Sequence, residues 1–145
     1  MQVSPYQWPV SFTVRFDGGT TSHEQRFWIE AGPDKAVAIG RNSKCDVAVS
    51  LPGVSWLHAE FRRLPSPTGG PPGLGIVDFS KNGTGLQVGK GQMQRLSTGI
   101  VTAVPDGSVI VMPLKIKAEK ELIVDQLRAS LVIVLHPPDP SGPPP

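Results

Sequence analysis

The sequence predicts an all-β fold: a β-sandwich of two mostly antiparallel sheets, with about eleven strands. Two observations carry this. Short runs rich in β-branched and aromatic residues recur along the chain with turn signals between them. Sixteen Pro and sixteen Gly interrupt 145 residues too often for a helical bundle. With 39% hydrophobic residues, the chain can fill one core of ordinary single-domain size.

The elements follow in order. Residues 10–16 alternate apolar and polar side chains and stop at Asp17-Gly18-Gly19, a turn signal. Further strands are predicted at 26–30, 36–40, 46–49, 58–63, 74–78, 84–88, 100–104 and 108–112, and the run 131–135 is expected to close the sheet. Residues 65–73 are all Pro, Gly, Ser or Thr, which predicts a long mobile loop between two strands rather than a domain boundary.

Residues 115–128 mix two periods. Leu114, Ile116 and Ala118 alternate as in a strand, whereas Ala118, Glu119, Lys120, Glu121, Leu122 and Leu127 favour helix, so a short helical insertion is predicted. The domain is expected to span 10–135, after an N-terminal extension at 1–9 and before a Pro-rich flexible tail at 136–145.

Composition narrows the function. A formal net charge of +2 is too small for general nucleic-acid binding, although Arg41, Lys44 and Lys81 can raise a local positive potential that draws an anion. The single Cys45 excludes an internal disulfide framework, and residues 1–10 lack the charged start and apolar stretch of a secretory signal. An intracellular protein of the nucleus or cytoplasm is therefore expected. No apolar run approaches the roughly 20 residues that a membrane-spanning helix needs, so no membrane insertion is expected.

Three clusters lie where strand-forming runs stop: Ile39-Gly40-Arg41, Ser55-Trp56-Leu57-His58, and Asp78-Phe79-Ser80-Lys81-Asn82-Gly83-Thr84. Arg41 offers a planar fork of donors that remains charged, so it can grip two oxygens of one anion. Ser55 adds a hydroxyl donor and Lys81 a second cation, while the Asn82 amide can both donate to and accept from an extended backbone. Each signal alone has a plain alternative. Gly40 can simply release a strand into a turn, Asn82-Gly83 is a common tight-turn pair, and His58 beside an apolar strand is most often a hydrogen-bonded structural residue.

In this order and spacing within a β-pattern, the clusters resemble the forkhead-associated (FHA) domain, over about Val10 to Leu135 with the motifs between Ile39 and Thr84. The resemblance implies a phosphothreonine-peptide binding module, an adaptor in phosphorylation-dependent protein interaction. It implies that Arg41, Ser55 and Lys81 contact the phosphate and that Asn82 binds the peptide backbone. Gly40, His58, Gly83 and Thr84 support the site, His58 by bracing the loop that presents Ser55.

The chain departs from the family pattern in the insertion at 115–128, where the family usually has a short connection, and in three further places. Trp56 stands where a basic residue or Asn often follows the pocket Ser, which makes it a candidate partner contact or a loop-bracing aromatic. Gly53 stands where some members use a basic side chain to select the third residue after phosphothreonine, so no strong acidic preference is expected there. Gly85-Leu86-Gln87-Val88 follows Thr84 where an Asn-Gly turn is common.

Cys45, His58 and Asp78 are the residue types of a nucleophile, its base and an orienting acid, but Cys45 has no nucleophile motif around it and the three His are scattered. Neither enzymatic activity, metal nor cofactor is expected. The second reading is a phosphate-independent structural or scaffolding subunit of a larger complex, which binds through Trp56, the insertion or the tail.

Overall fold

The computed structural model describes residues 8–17, 23–116 and 127–137. Eleven strands form two sheets: β1 (Val10–Asp17), β2 (His23–Ile29), β3 (Ala36–Gly40), β4 (Val47–Ala48), β5 (Ala59–Leu64), β6 (Gly73–Asp78), β7 (Gly85–Gln87), β8 (Gln94–Arg95), β9 (Thr102–Ala103), β10 (Val109–Met112) and β11 (Ala129–Leu135). The six-stranded sheet has the order β2-β1-β11-β10-β7-β8, and the five-stranded sheet the order β4-β3-β5-β6-β9. Pairing is antiparallel except between β3 and β4, where Ile39 faces Val47 and Gly40 faces Ala48.

The period-2 pattern of β1 explains its place. Phe12 and Val14 point into the core, and Arg15 faces out. Phe12 packs against Phe27 of the neighbouring strand and against Phe61 of the opposite sheet, with ring centroids 5.7 and 5.0 Å apart, so one ring joins the two layers. Ile39, Ile76, Ile110, Met112, Leu131 and Ile133 complete the fully buried centre. Each such side chain contributes roughly 1.5–3 kcal/mol by leaving water.

Two features differ from the sequence expectations. The strand expected to close the sheet, β11, lies inside it, between β1 and β10, because its backbone pairs on both sides. The strand β8 was not legible, because Gln94 and Arg95 are polar, exposed and only two residues long. Its place comes from pairing with β7, Gly85 opposite Arg95 and Leu86 opposite Gln94.

The predicted helix at 115–128 falls mainly on residues outside those described. At the described ends of that stretch, Arg128 donates from Nε to the Pro113 carbonyl at 3.1 Å and from Nη2 to the Leu114 carbonyl at 2.8 Å. The loop predicted at 65–73 joins β5 to β6, with a Gly69 N–H to Ser66 carbonyl turn at 3.2 Å.

Candidate functional site

The antiparallel run β3-β5-β6 brings the ends of three loops together. Arg41 leaves β3, Ser55 lies in the connection from β4 to β5, and Lys81 and Asn82 follow β6. The Arg41 backbone N–H donates to the Ser55 carbonyl at 3.0 Å, and Asn42 N–H to the Trp56 carbonyl at 3.3 Å, so the first loop is laced to the second. The second and third loops are joined by the Lys81 backbone N–H, which donates to Ser55 Oγ at 3.1 Å, and by Asn82 Nδ2, which donates to the Gly53 carbonyl at 2.9 Å.

His58 sits beneath this junction with no exposed surface. The Ser55 backbone N–H donates to its Nδ1 at 3.0 Å, so Nδ1 is an unprotonated acceptor and Nε2 carries the proton that it gives to the Gly83 carbonyl at 3.2 Å. The ring thus ties the Ser55 loop to the Asn82-Gly83 turn. Burial pushes its pKa below the ordinary value, and the Gly83 carbonyl and the Asp78 charge only partly oppose this.

Asp78, also fully buried, organises the third loop from inside. Its Oδ1 accepts from Ser80 N–H at 3.1 Å, Ser80 Oγ at 2.6 Å and Thr84 Oγ1 at 2.8 Å, and its Oδ2 accepts from Thr98 Oγ1 at 3.3 Å. Ser80 Oγ in turn accepts from Gly83 N–H at 2.9 Å. A carboxylate satisfied by this many short hydroxyl and amide donors can stay inside a sandwich without a cation.

Two glycines are demanded by the geometry. A Cβ on Gly40 would stand 2.2 Å from the Trp56 carbonyl oxygen, which no rotation relieves. Gly83 has φ +89°, a left-handed conformation that L side chains rarely adopt. Trp56 therefore braces the Arg41 loop with its backbone, while its indole is 63% exposed and leaves the core to others.

The Arg41 and Lys81 side chains are exposed, and among the described residues neither takes part in an ion pair; the pair that is present there joins Arg62 to Glu60. Two free cations, one hydroxyl and one amide on a braced rim are suited to an anionic ligand on an extended backbone. Cys45, His58 and Asp78 share no hydrogen bonds: the thiol faces the Trp56 carbonyl at 3.6 Å, and both ring nitrogens of His58 are occupied by backbone groups. Burial and the Asp46 charge also push the Cys45 thiol pKa up, away from a reactive thiolate.

A model of the FHA domain family matches residues 37–112, more than half of the chain. The chain belongs to the FHA domain family.

Solved structures, FHA domains among them, share the fold. The MEK1 FHA domain superposes with a TM-score of 0.60 at 20% identity, covering 86% of this chain and 89% of that one. The N-terminal FHA domain of S. cerevisiae Rad53p, in complex with a phosphothreonine peptide, gives 0.58 at 19% identity, covering 88% and 94%. Full-length yeast Pml1p gives 0.59 at 13% identity, covering 88% and 82%. No curated protein matches the sequence.

In this FHA domain the loops at the site are also held by residues to which sequence reasoning gave no part in framing them. Asp78 and Ser80 form the internal frame of 78–84, and their signal was present as short polar side chains at a strand end that can bond their own backbone. The segment after β10 is a further support: Leu114 N–H donates to the Gly83 carbonyl at 3.2 Å and Lys115 N–H to the Asn82 carbonyl at 2.8 Å. Nothing local in the sequence marks that contact, which joins segments about thirty residues apart. Among the described residues no helix is long and apolar enough to cross a membrane, and no group of His, Cys, Asp and Glu could hold a metal ion.

Proposed function

We propose that this FHA domain is a phosphothreonine-peptide reader that works as an adaptor, binding its ligand without chemistry. The observation that carries the reading is the state of Ser55. Its Oγ accepts the Lys81 backbone N–H, which leaves its own proton available to a ligand, on the loop junction that also carries Arg41 and Lys81. Arg41, Ser55 and Lys81 would contact the phosphate, and Asn82 would bind the peptide backbone beside it. The complex of the Rad53p domain with a phosphothreonine peptide supports the ligand class by analogy of fold.

Charge-assisted bonds of this kind are worth roughly 1.5–3 kcal/mol each and are partly offset by ordering a flexible peptide, so micromolar affinity is expected. A phosphorylated protein partner places the domain inside the cell, in nucleus or cytoplasm. The exposed indole of Trp56 favours a second reading, a scaffolding subunit that binds a partner without phosphate.

The test is binding to an oriented phosphothreonine-peptide library, with phosphoserine and unphosphorylated controls and the Arg41→Ala variant. Selective binding that Arg41→Ala abolishes while the protein stays folded supports the reader. Unchanged affinity in Arg41→Ala overturns the pocket, and no binding at all, with a partner whose capture depends on Trp56, supports the scaffold.

A further inference from the structure

A third cation stands beside the site and has no task in the reading above. Arg95 lies on β8 opposite Gly85, so the two residues share one face of the β7–β8 hairpin. From there its guanidinium reaches back over the Asn82-Gly83 turn: a Cβ on Gly83 would stand 3.2 Å from both Cζ and Nε of Arg95. Gly83 directly follows Asn82, so the fork ends within about one residue's length, ~4 Å along the chain, of the proposed peptide-binding position.

Arg95 is exposed, and among the described residues its side chain makes no hydrogen bond and no ion pair. Gly83 adds no side chain beneath it, and the space over Gly85 is filled by apolar groups, since a Cβ there would meet Met93 Sδ at 2.5 Å and Leu114 Cδ2 at 2.9 Å. Arg41, Lys81 and Arg95 thus belong to one loop cluster, and the carboxylate of its third loop, Asp78, is buried and fully engaged with hydroxyls and an amide.

We propose that Arg95 is a specificity-determining residue that binds a second anionic group on the phosphothreonine peptide, a carboxylate or a further phosphate on a residue flanking the phosphothreonine. The proposal rests on the phosphothreonine reading. The planar fork accepts carboxylate and phosphate with the same two-bond geometry, so either source satisfies it. Gly53 stands in place of a basic residue on the β4–β5 connection, and Arg95 supplies a cation from β8 instead.

The test uses short alanine-rich peptides with one central phosphothreonine, into which a single Glu or a second phosphothreonine is placed at each flanking position in turn. Binding is measured calorimetrically for the wild-type protein, Arg95→Gln, Arg95→Lys and Arg41→Ala. Wild type is expected to gain roughly fivefold to tenfold in affinity for an added anion at one position. Arg95→Gln should lose the affinity ratio between the anion-bearing and the parent peptide, and Arg95→Lys should keep only part of it. The carboxylate and phosphate arms identify which source is preferred.

An anion preference that survives Arg95→Gln, or none at any position while the parent peptide binds, overturns the Arg95 assignment alone. Failure of every phosphopeptide to bind wild type, or equal binding by Arg41→Ala, overturns the phosphothreonine reading and this inference with it.

Discussion

The backbone N–H of Lys81 donates to Ser55 Oγ at 3.1 Å, so a residue placed to supply charge also fixes the orientation of a neighbouring hydroxyl. With one lone pair of Ser55 occupied from inside the protein, its oxygen is held in place before any ligand arrives. Preorganisation of this kind reduces the ordering cost of binding. The same bond makes Ser55 a joint between two loops.

Ser55→Ala should therefore act twice. Phosphopeptide affinity is expected to fall about tenfold through the lost donor, and stability by about 1 kcal/mol because the Lys81 N–H loses its acceptor. Calorimetric titration and thermal unfolding of the same preparation separate the two effects. An affinity equal to wild type would show that the hydroxyl faces no ligand.

His58 makes stability depend on pH. Its folded-state pKa is depressed below its ordinary value of 6.5, so between the two values the unfolded chain binds more protons than the folded one. Stability is then complete above about pH 6.5 and is lost as pH falls from there toward the folded-state value. Urea unfolding along a pH series should show this slope in wild type and not in His58→Gln, which keeps His23 and His136 and so isolates the one ring. Parallel curves for the two proteins would contradict the assignment.

Asp78→Ala is expected to destabilise the domain by about 3 kcal/mol, because Ser80 N–H, Ser80 Oγ and Thr84 Oγ1 all lose their acceptor in a buried place. Since 78–84 carries Lys81 and Asn82, peptide affinity should fall as well, at temperatures where the variant remains folded. Chemical denaturation gives the first quantity and calorimetry the second. A loss under about 0.5 kcal/mol would mean that the loop is framed by other contacts.

Gly40→Ala places a methyl group 2.2 Å from the Trp56 carbonyl, and the backbone must shift to admit it. A loss of about 2 kcal/mol or more is expected, together with weaker peptide binding, because the next residue is Arg41. A wild-type melting curve for this variant would show that the approach of the two loops is loose.

Much of this was legible before the structure. Alternation in 10–16 and the exact bounds of 36–40 could be read locally, because one buried face per strand imposes period 2 whatever the strand pairs with. The site was legible in part: Arg41, Ser55, Lys81 and Asn82 do lie on adjoining loops, since each follows or precedes a strand of one antiparallel run. Asp78 and Ser80 were passed over as frame residues because their partners are set by the shape of the loop, and Arg95 because β8 has no apolar pattern at all.

The sequence by itself determined that this chain is a β-sandwich and which short motifs end its strands, because side-chain alternation, turn residues and strand propensity act over a few neighbouring residues. Only the tertiary structure decided that β11 lies inside its sheet, that His58 ties Ser55 to Gly83, and that Arg95 reaches over the Asn82-Gly83 turn. Those relations join residues far apart in the chain, and they follow from strand order and register, which are fixed by how the two sheets bury a common core.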